Sequence, residues 1–251
     1  MKIVCISNDC VDILVELGCK DWIVGLPNES KDKFATNAVA IGGFGTCSLE
    51  KINSLKPDIV IGSADIQSAI ASKLVKAYHN VLITNQLDIA GIFSAIRMIG
   101  GLVGKPAEAE SLVSRMSSQI DALRRVRKSP IKVYFEEWNE PYVTATKWIS
   151  EMVEIAGGSD VFTAIRDRGF YLDREVTNDE IIAANPDVIM LSWCGNHIDT
   201  AVIKERKCWD KINAVVHDRI FPIPSEIVLQ PGPSIIKGLE MICGILDSVE
   251  T

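Results

Sequence analysis

The sequence predicts an α/β protein of two lobes, each with a mainly parallel central sheet, joined by one long helix. Three observations carry this prediction. Short apolar runs alternate with longer segments of helical periodicity over most of the 251 residues. That rhythm breaks once, at Lys105–Lys128, and restarts after Ser129-Pro130. Two stretches, "SLEKINSLKPDIVIGS" and "TNDEIIAANPDVIMLS", also echo each other across the break. Each has a Ser or Thr suited to cap a helix, an acid two residues on, a short helix, a Lys/Asn-Pro-Asp turn and a buried strand. The expected division is 1–104 for the first lobe, 105–128 for the connecting helix and 129–251 for the second lobe.

Taken in order, "KIVCI" reads as a strand, and Asn8 is positioned to cap the helix "DCVDILVELG", which Gly18 stops. "DWIVGL", "DIVIGS" and "NVLIT" read as further strands, with the helix "DIQSAIASKLVKAY" before the last of them. "LDIAGIFSAIRMIGGLVG" is an apolar helix. The connecting segment has Pro106 near its start, acids early and bases late, as a helix dipole favours. Uninterrupted, it would span about 36 Å at 1.5 Å per residue. In the second half "IKVYFEEW" is a strand, "KWISEMVEIAGG" a helix with a glycine stop, "PDVIM" and "RIFPI" strands, and "PSIIKGLEMICGILDSV" the last helix.

The 33 acids against 26 bases give a net charge of −7, which speaks against a nucleic-acid surface. The one dense basic patch, "LRRVRK" at Leu123–Lys128, falls at the end of the connecting helix and reads as a solvated last turn. No apolar run is long enough to span a bilayer, so direct membrane insertion is not expected. "MKIVCIS" enters a strand directly, which reads as cytoplasmic, or extracytoplasmic if a leader has been removed. Seven scattered cysteines without a CxxC pair fit reduced thiols, neither a disulfide framework nor a zinc site.

The stretch Leu191–His197, "LSWCGNH", leaves a buried strand with an indole, a thiol, an amide and an imidazole in close succession. Three readings compete for it. A Cys194–His197 nucleophilic pair would make the protein a cysteine-dependent enzyme, but no nucleophile elbow or orienting group accompanies it. Metal ligation by Cys194 and His197 lacks further clustered ligands, since His79 and His217 lie elsewhere. A pocket wall fits best: Trp193 offers a flat face and an N–H, Gly195 lets a ligand approach the backbone, and Asn196 donates and accepts. Trp138 should emerge at the neighbouring strand end. Asn8, Tyr171 and Gln230 are further lining candidates, and one of the adjacent Glu136 and Glu137 should face the same space.

With these residues in view, the chain resembles the helical-backbone solute-binding proteins, the vitamin B12, siderophore and haem binders that serve ABC importers. The resemblance rests on "SLEKINSLKPDIVI" and "VTNDEIIAANPDVI" in corresponding places and covers essentially the whole chain. It is closer still to leaderless cobalamin-binding relatives through "VYFEEWNEPYVTATKWISEMVEIAGGSDVF", "LSWCGNHI" and "VLQPGP". It implies no catalysis and a cobalamin or related corrinoid held in a cleft at the strand ends, with an iron siderophore or haem as the alternative. Phe44, in "GGFGT", falls where the vitamin B12 importers place an aromatic against the ligand. Glu50 and Asp179 fall where one acid on each lobe docks on the importer permease. The Tyr-Pro-Pro that often follows the second strand is absent; "LPNESKDKFATNA" stands there, with Phe34 its only aromatic.

Overall fold

The computed structural model describes residues 1–34, 37–195 and 198–249, the side chains of Asp32 and Phe34 excepted. The chain divides into two compact units: Met1–Arg115 with Pro231–Pro233, and Met116–Gln230 with Ser234–Thr251. The division falls inside the helix Pro106–Leu123.

The N-terminal unit is built on five parallel strands, β1 (Ile3–Cys5), β2 (Ile23–Leu26), β3 (Val39–Ala40), β4 (Ile59–Gly62) and β5 (Val81–Ile83). Their order is β3-β2-β1-β4-β5. The chain therefore winds one way from β1 and the other way from β4, which makes the β1/β4 junction a topological switch point. One face of this sheet packs Val4, Ile6, Ile41, Ile52, Val60 and Leu74 into a solvent-free cluster. The helix Ile89–Leu102 is capped by Asp88, whose carboxylate accepts the Gly91 N–H at 2.7 Å.

The C-terminal unit has β6 (Ile131–Asn139), β7 (Tyr142–Thr144), β8 (Gly158–Asp160), β9 (Val188–Leu191) and β10 (Ile220–Pro222). β9 lies along one edge of β6, with β10 beyond it. The antiparallel β7 and the parallel β8 share the other edge, against the C-terminal and N-terminal halves of β6. The short strands β3, β7 and β8 were not expected. At two or three residues they carry too little periodicity to read. The switch point of this sheet is the β6/β9 junction.

The two echoing stretches fold alike. Ser48 caps the helix Leu49–Leu55 and Thr177 caps Asn178–Ala184, each ending in a left-handed residue, Lys56 (φ 48°) or Asn185 (φ 43°). Pro-Asp then turns the chain into β4 or β9. Two local expectations are corrected. The N-cap position of the helix Asn8–Glu16 is Ser7, while Asn8 is its first residue and accepts a hydrogen bond from the Ser30 hydroxyl. The connecting helix stops at Leu123, not Lys128. The Arg125 guanidinium turns back to donate to the Leu123 carbonyl at 3.1 Å, closing the last turn, and Val126 is 95% exposed. Of the basic cluster, Arg124 and Lys128 are solvent-exposed, while the Arg127 side chain is buried and paired with Asp247 at 2.6 Å.

Candidate functional site

Ligands of doubly wound sheets sit at strand C-termini beside the switch point. In the N-terminal unit β1 leads to Ser7, Asn8 and Asp9, and β4 leads to Ser63. There the buried Asp9 carboxylate accepts from the Ser63 hydroxyl at 2.8 Å and the Gln86 amide at 3.1 Å. The same Gln86 amide donates to the Pro231 carbonyl at 2.9 Å. Burial, only partly offset by these donors, raises the Asp9 pKa to about 6. The neighbouring Cys10 thiol is driven far up by burial and then by the Asp9 charge, which leaves it inert.

Phe44 is half-buried in the turn after β3, and its carbonyl accepts from the Gln67 amide at 3.3 Å. The turn depends on Gly42 at φ 126°, where a Cβ would meet the Thr46 carbonyl at 2.5 Å. Glu50 is the exposed second residue of its capped helix, and Asp179 is exposed in the same position of the echoing helix.

In the C-terminal unit, β6 and β9 end at a polar network set in aromatic surroundings. Glu136 is fully buried and receives the Arg206 guanidinium in a forked pair at 2.6 and 2.9 Å. Its Oε1 also accepts the Trp193 indole N–H at 3.0 Å, and its Oε2 the Tyr134 hydroxyl at 3.0 Å. Arg206 stacks against the Tyr142 ring at 4.7 Å and the Trp209 ring at 4.5 Å. Burial, with the Glu136 charge beside it, pushes the Tyr134 hydroxyl far above its ordinary value and fixes it as a donor. The neighbouring Glu137 meets a second buried arginine, Arg174, at 2.7 Å.

This changes the expected role of Trp193. It is 7% exposed and packs with Tyr134, Ile203 and Trp209, with its N–H committed to Glu136, so its face lines the unit's core. Exposed surface at this strand end begins at Cys194 and continues at Gly195, which stands at φ 73° with open space where a Cβ would be. Each glutamate is tied to an arginine, Glu136 fully buried and Glu137 partly exposed. Asn196 and His197 lie outside the described residues, so the Cys194–His197 pair does as well. Trp138 is half-buried against the same core, its N–H donating to the Glu140 carbonyl at 3.0 Å.

Tyr171 is 37% exposed on the turn Tyr171–Arg174, stacked against Phe170 at 4.9 Å between ring centroids. Gln230 is half-buried, and its carbonyl accepts from the Ser234 hydroxyl at 3.4 Å. Among the described residues, no three His, Cys, Asp or Glu side chains converge as metal ligands, and no helix is long and apolar enough to cross a membrane. The residues missed from sequence were Arg174, Arg206 and Tyr134 in the C-terminal unit, and Asp9, Ser63 and Gln86 in the N-terminal unit. The one available signal was the Glu-Glu pair at a strand end, whose buried member needs a cation.

Two doubly wound α/β units, each with polar and aromatic groups gathered at its switch point and the division lying inside one helix, are the build of a solute-binding protein. The chain belongs to the periplasmic binding protein family, whose pattern matches residues 3–227. It is 27% identical to the uncharacterized ABC transporter substrate-binding lipoprotein YvrC of Bacillus subtilis (strain 168), over 95% of this chain and 77% of that protein. Its fold is similar to a periplasmic haem-binding protein from Roseiflexus sp. RS-1 (TM-score 0.80, 21% identity, 99% of this chain and 98% of the other). It is also similar to the periplasmic vitamin B12 binding protein of Vibrio cholerae (TM-score 0.72, 19% identity, 100% and 98% of the two chains).

Proposed function

We propose that this chain is the extracytoplasmic solute-binding component of an ABC importer, and that its ligand is cobalamin or a related corrinoid. Phe44, Trp138, Tyr171, Cys194, Gly195, Asn196 and His197 are its direct contacts in this reading, Asn8 and Gln230 flank them, and Trp193 supports them from within. Glu50 and Asp179 serve as docking acids for the permease.

The observation that carries the choice of ligand is the state of the two arginines at the β6 end. Arg174 and Arg206 are both spent on internal carboxylates. The surface next to them, Phe170–Leu172 and Cys194–Gly195, is aromatic, aliphatic, thiol and backbone. Such a surface suits a wide conjugated ring with neutral amide side chains. A haem, with two carboxylates to satisfy, calls for cations; Arg174 and Arg206 are already neutralised, and the exposed Arg168 guanidinium is turned onto the Asp173 carbonyl of the same turn. Similar proteins include both ligand classes, a vitamin B12-binding protein of Vibrio cholerae at 20% identity and the haem-binding protein from Roseiflexus sp. RS-1.

The test mixes the purified protein with cyanocobalamin, dicyanocobinamide or haemin and passes each mixture through a desalting column. The expected result is a corrin spectrum co-eluting with the protein, weakened in Phe44→Ala and Tyr171→Ala. Co-elution of haemin alone would replace the corrinoid assignment with haem.

A further inference from the structure

The adjacent glutamates at the end of β6 each hold a different loop. Through its side chain Glu136 takes the Trp193 indole and the Arg206 guanidinium, and through its backbone carbonyl it accepts the Ser192 N–H at 2.9 Å. It thereby fixes the chain immediately before the exposed Cys194. Glu137 takes the Arg174 guanidinium, which also donates to the Thr144 carbonyl. Arg174 is 1% exposed, yet the three residues at the head of its turn, Phe170, Tyr171 and Leu172, are 42%, 37% and 39% exposed. Each loop thus pairs a buried ionic anchor with a neighbouring solvent-facing segment.

Burying two ion pairs side by side is an expensive way to gain stability, because desolvation offsets much of the attraction. It is an effective way to fix position, because a forked arginine–carboxylate pair sets direction as well as distance. Three exposed apolar side chains would otherwise fold down onto the nearest apolar surface. We propose that Glu136 and Glu137 are positioning residues: one strand end sets the placement of the Ser192–Gly195 and Phe170–Arg174 loops, and so presents Cys194 and Tyr171 to the ligand. The ligand half of this proposal rests on the corrinoid reading above; the loop half does not.

The test compares wild type with Glu137→Gln, and with Trp193→Phe as the milder probe of the Glu136 side, because that change removes the indole N–H and part of the ring volume but leaves the Glu136–Arg206 pair in place. Amide hydrogen exchange on the unliganded proteins reads loop placement directly. In Glu137→Gln, exchange should rise by about tenfold or more at 170–176 and stay unchanged along β6 and β9. In Trp193→Phe the rise should be confined to 192–195 and the segment around Arg206. A uniform rise would mean that the pairs serve stability alone, and no rise would mean that the loops are held by other contacts; either overturns the proposal.

Affinity for dicyanocobinamide is then measured in a double-mutant cycle. Glu137→Gln should weaken binding by about tenfold, and Tyr171→Ala should cost little more once Glu137 is gone. Additive losses would overturn the ligand half. If wild type binds no corrinoid, the functional reading fails, while the exchange data still decide whether the glutamates hold the loops.

Discussion

Asp187 and Lys132 hold each other at both ends of one short contact. The Asp187 N–H donates to the Lys132 carbonyl at 2.8 Å, and the Asp187 carboxylate accepts the Lys132 N–H at 3.0 Å. Asp58 and Lys2 make the same pair in the other unit, at 2.9 and 2.6 Å. In both cases the aspartate follows a helix that ends in a left-handed residue, and its carboxylate satisfies the leading N–H of the neighbouring strand. The Pro-Asp of each echoing stretch is therefore a register lock between the strands that flank each switch point.

The two locks differ in strength. Asp58 is exposed, whereas Asp187 is half-buried and also accepts from the Asn213 amide at 3.0 Å. Asp58→Ala should cost about 0.5–1 kcal/mol, and Asp187→Ala about 1.5–3 kcal/mol because it strands a second donor. Urea denaturation of both variants checks the order.

Two adjacent glycines in the helix Ile89–Leu102 should respond with opposite signs. A Cβ on Gly100 would meet the Ala109 Cβ at 2.3 Å, where this helix packs on Pro106–Leu123, while one on Gly101 would meet nothing within 4 Å. Gly100→Ala should destabilise by about 1–3 kcal/mol through overpacking, despite its better helix propensity. Gly101→Ala should stabilise by about 0.5 kcal/mol. Thermal melts of the two single variants decide the matter.

Asp9 should give the fold an acid-side optimum. Its folded pKa of about 6 lies above the ordinary 3.8, so between these values the folded state holds a proton that the unfolded state has released. Stability therefore falls as pH rises from about 4 to 6, by roughly 2–3 kcal/mol in all, and the full penalty remains above pH 6. Asp9→Asn should flatten this part of the stability–pH curve, as measured by denaturation at fixed pH steps. An unchanged slope in that variant would remove Asp9 as its source.

What could be read from sequence was whatever repeats at short range. Apolar runs located β1, β2, β4, β5, β6, β9 and β10, and the echoing stretches with their caps folded as their patterns required. What could not be read depends on distant partners. Trp193 looked like a pocket wall because Cys-Gly-Asn follows it, but its orientation is set by Glu136, 57 residues upstream. Arg174 and Arg206 are unremarkable in sequence until the fold sets them against Glu137 and Glu136. Asp9 finds Gln86 across 77 residues. The end of the connecting helix was misplaced because bases favour a last turn whether they continue it or, as Arg125 does, close it from outside.

The docking role assigned to Glu50 and Asp179 can be separated from their helix-terminal role by size of effect. Each is the second residue of a capped helix and exposed, so its interaction with the dipole is worth about 0.3–1 kcal/mol. Glu180, beside Asp179, already closes the cap by accepting from the Thr177 N–H at 2.8 Å, so Asp179 is not needed for capping. Glu50→Lys with Asp179→Lys should therefore leave the protein folded, within about 1–4 kcal/mol of wild type, and its corrinoid affinity unchanged. If the docking proposal holds, uptake of corrinoid by cells carrying the importer should nevertheless be lost, because the two proposed attractive contacts with the permease become repulsive. Intact uptake by the double variant would reduce both acids to helix-terminal charges.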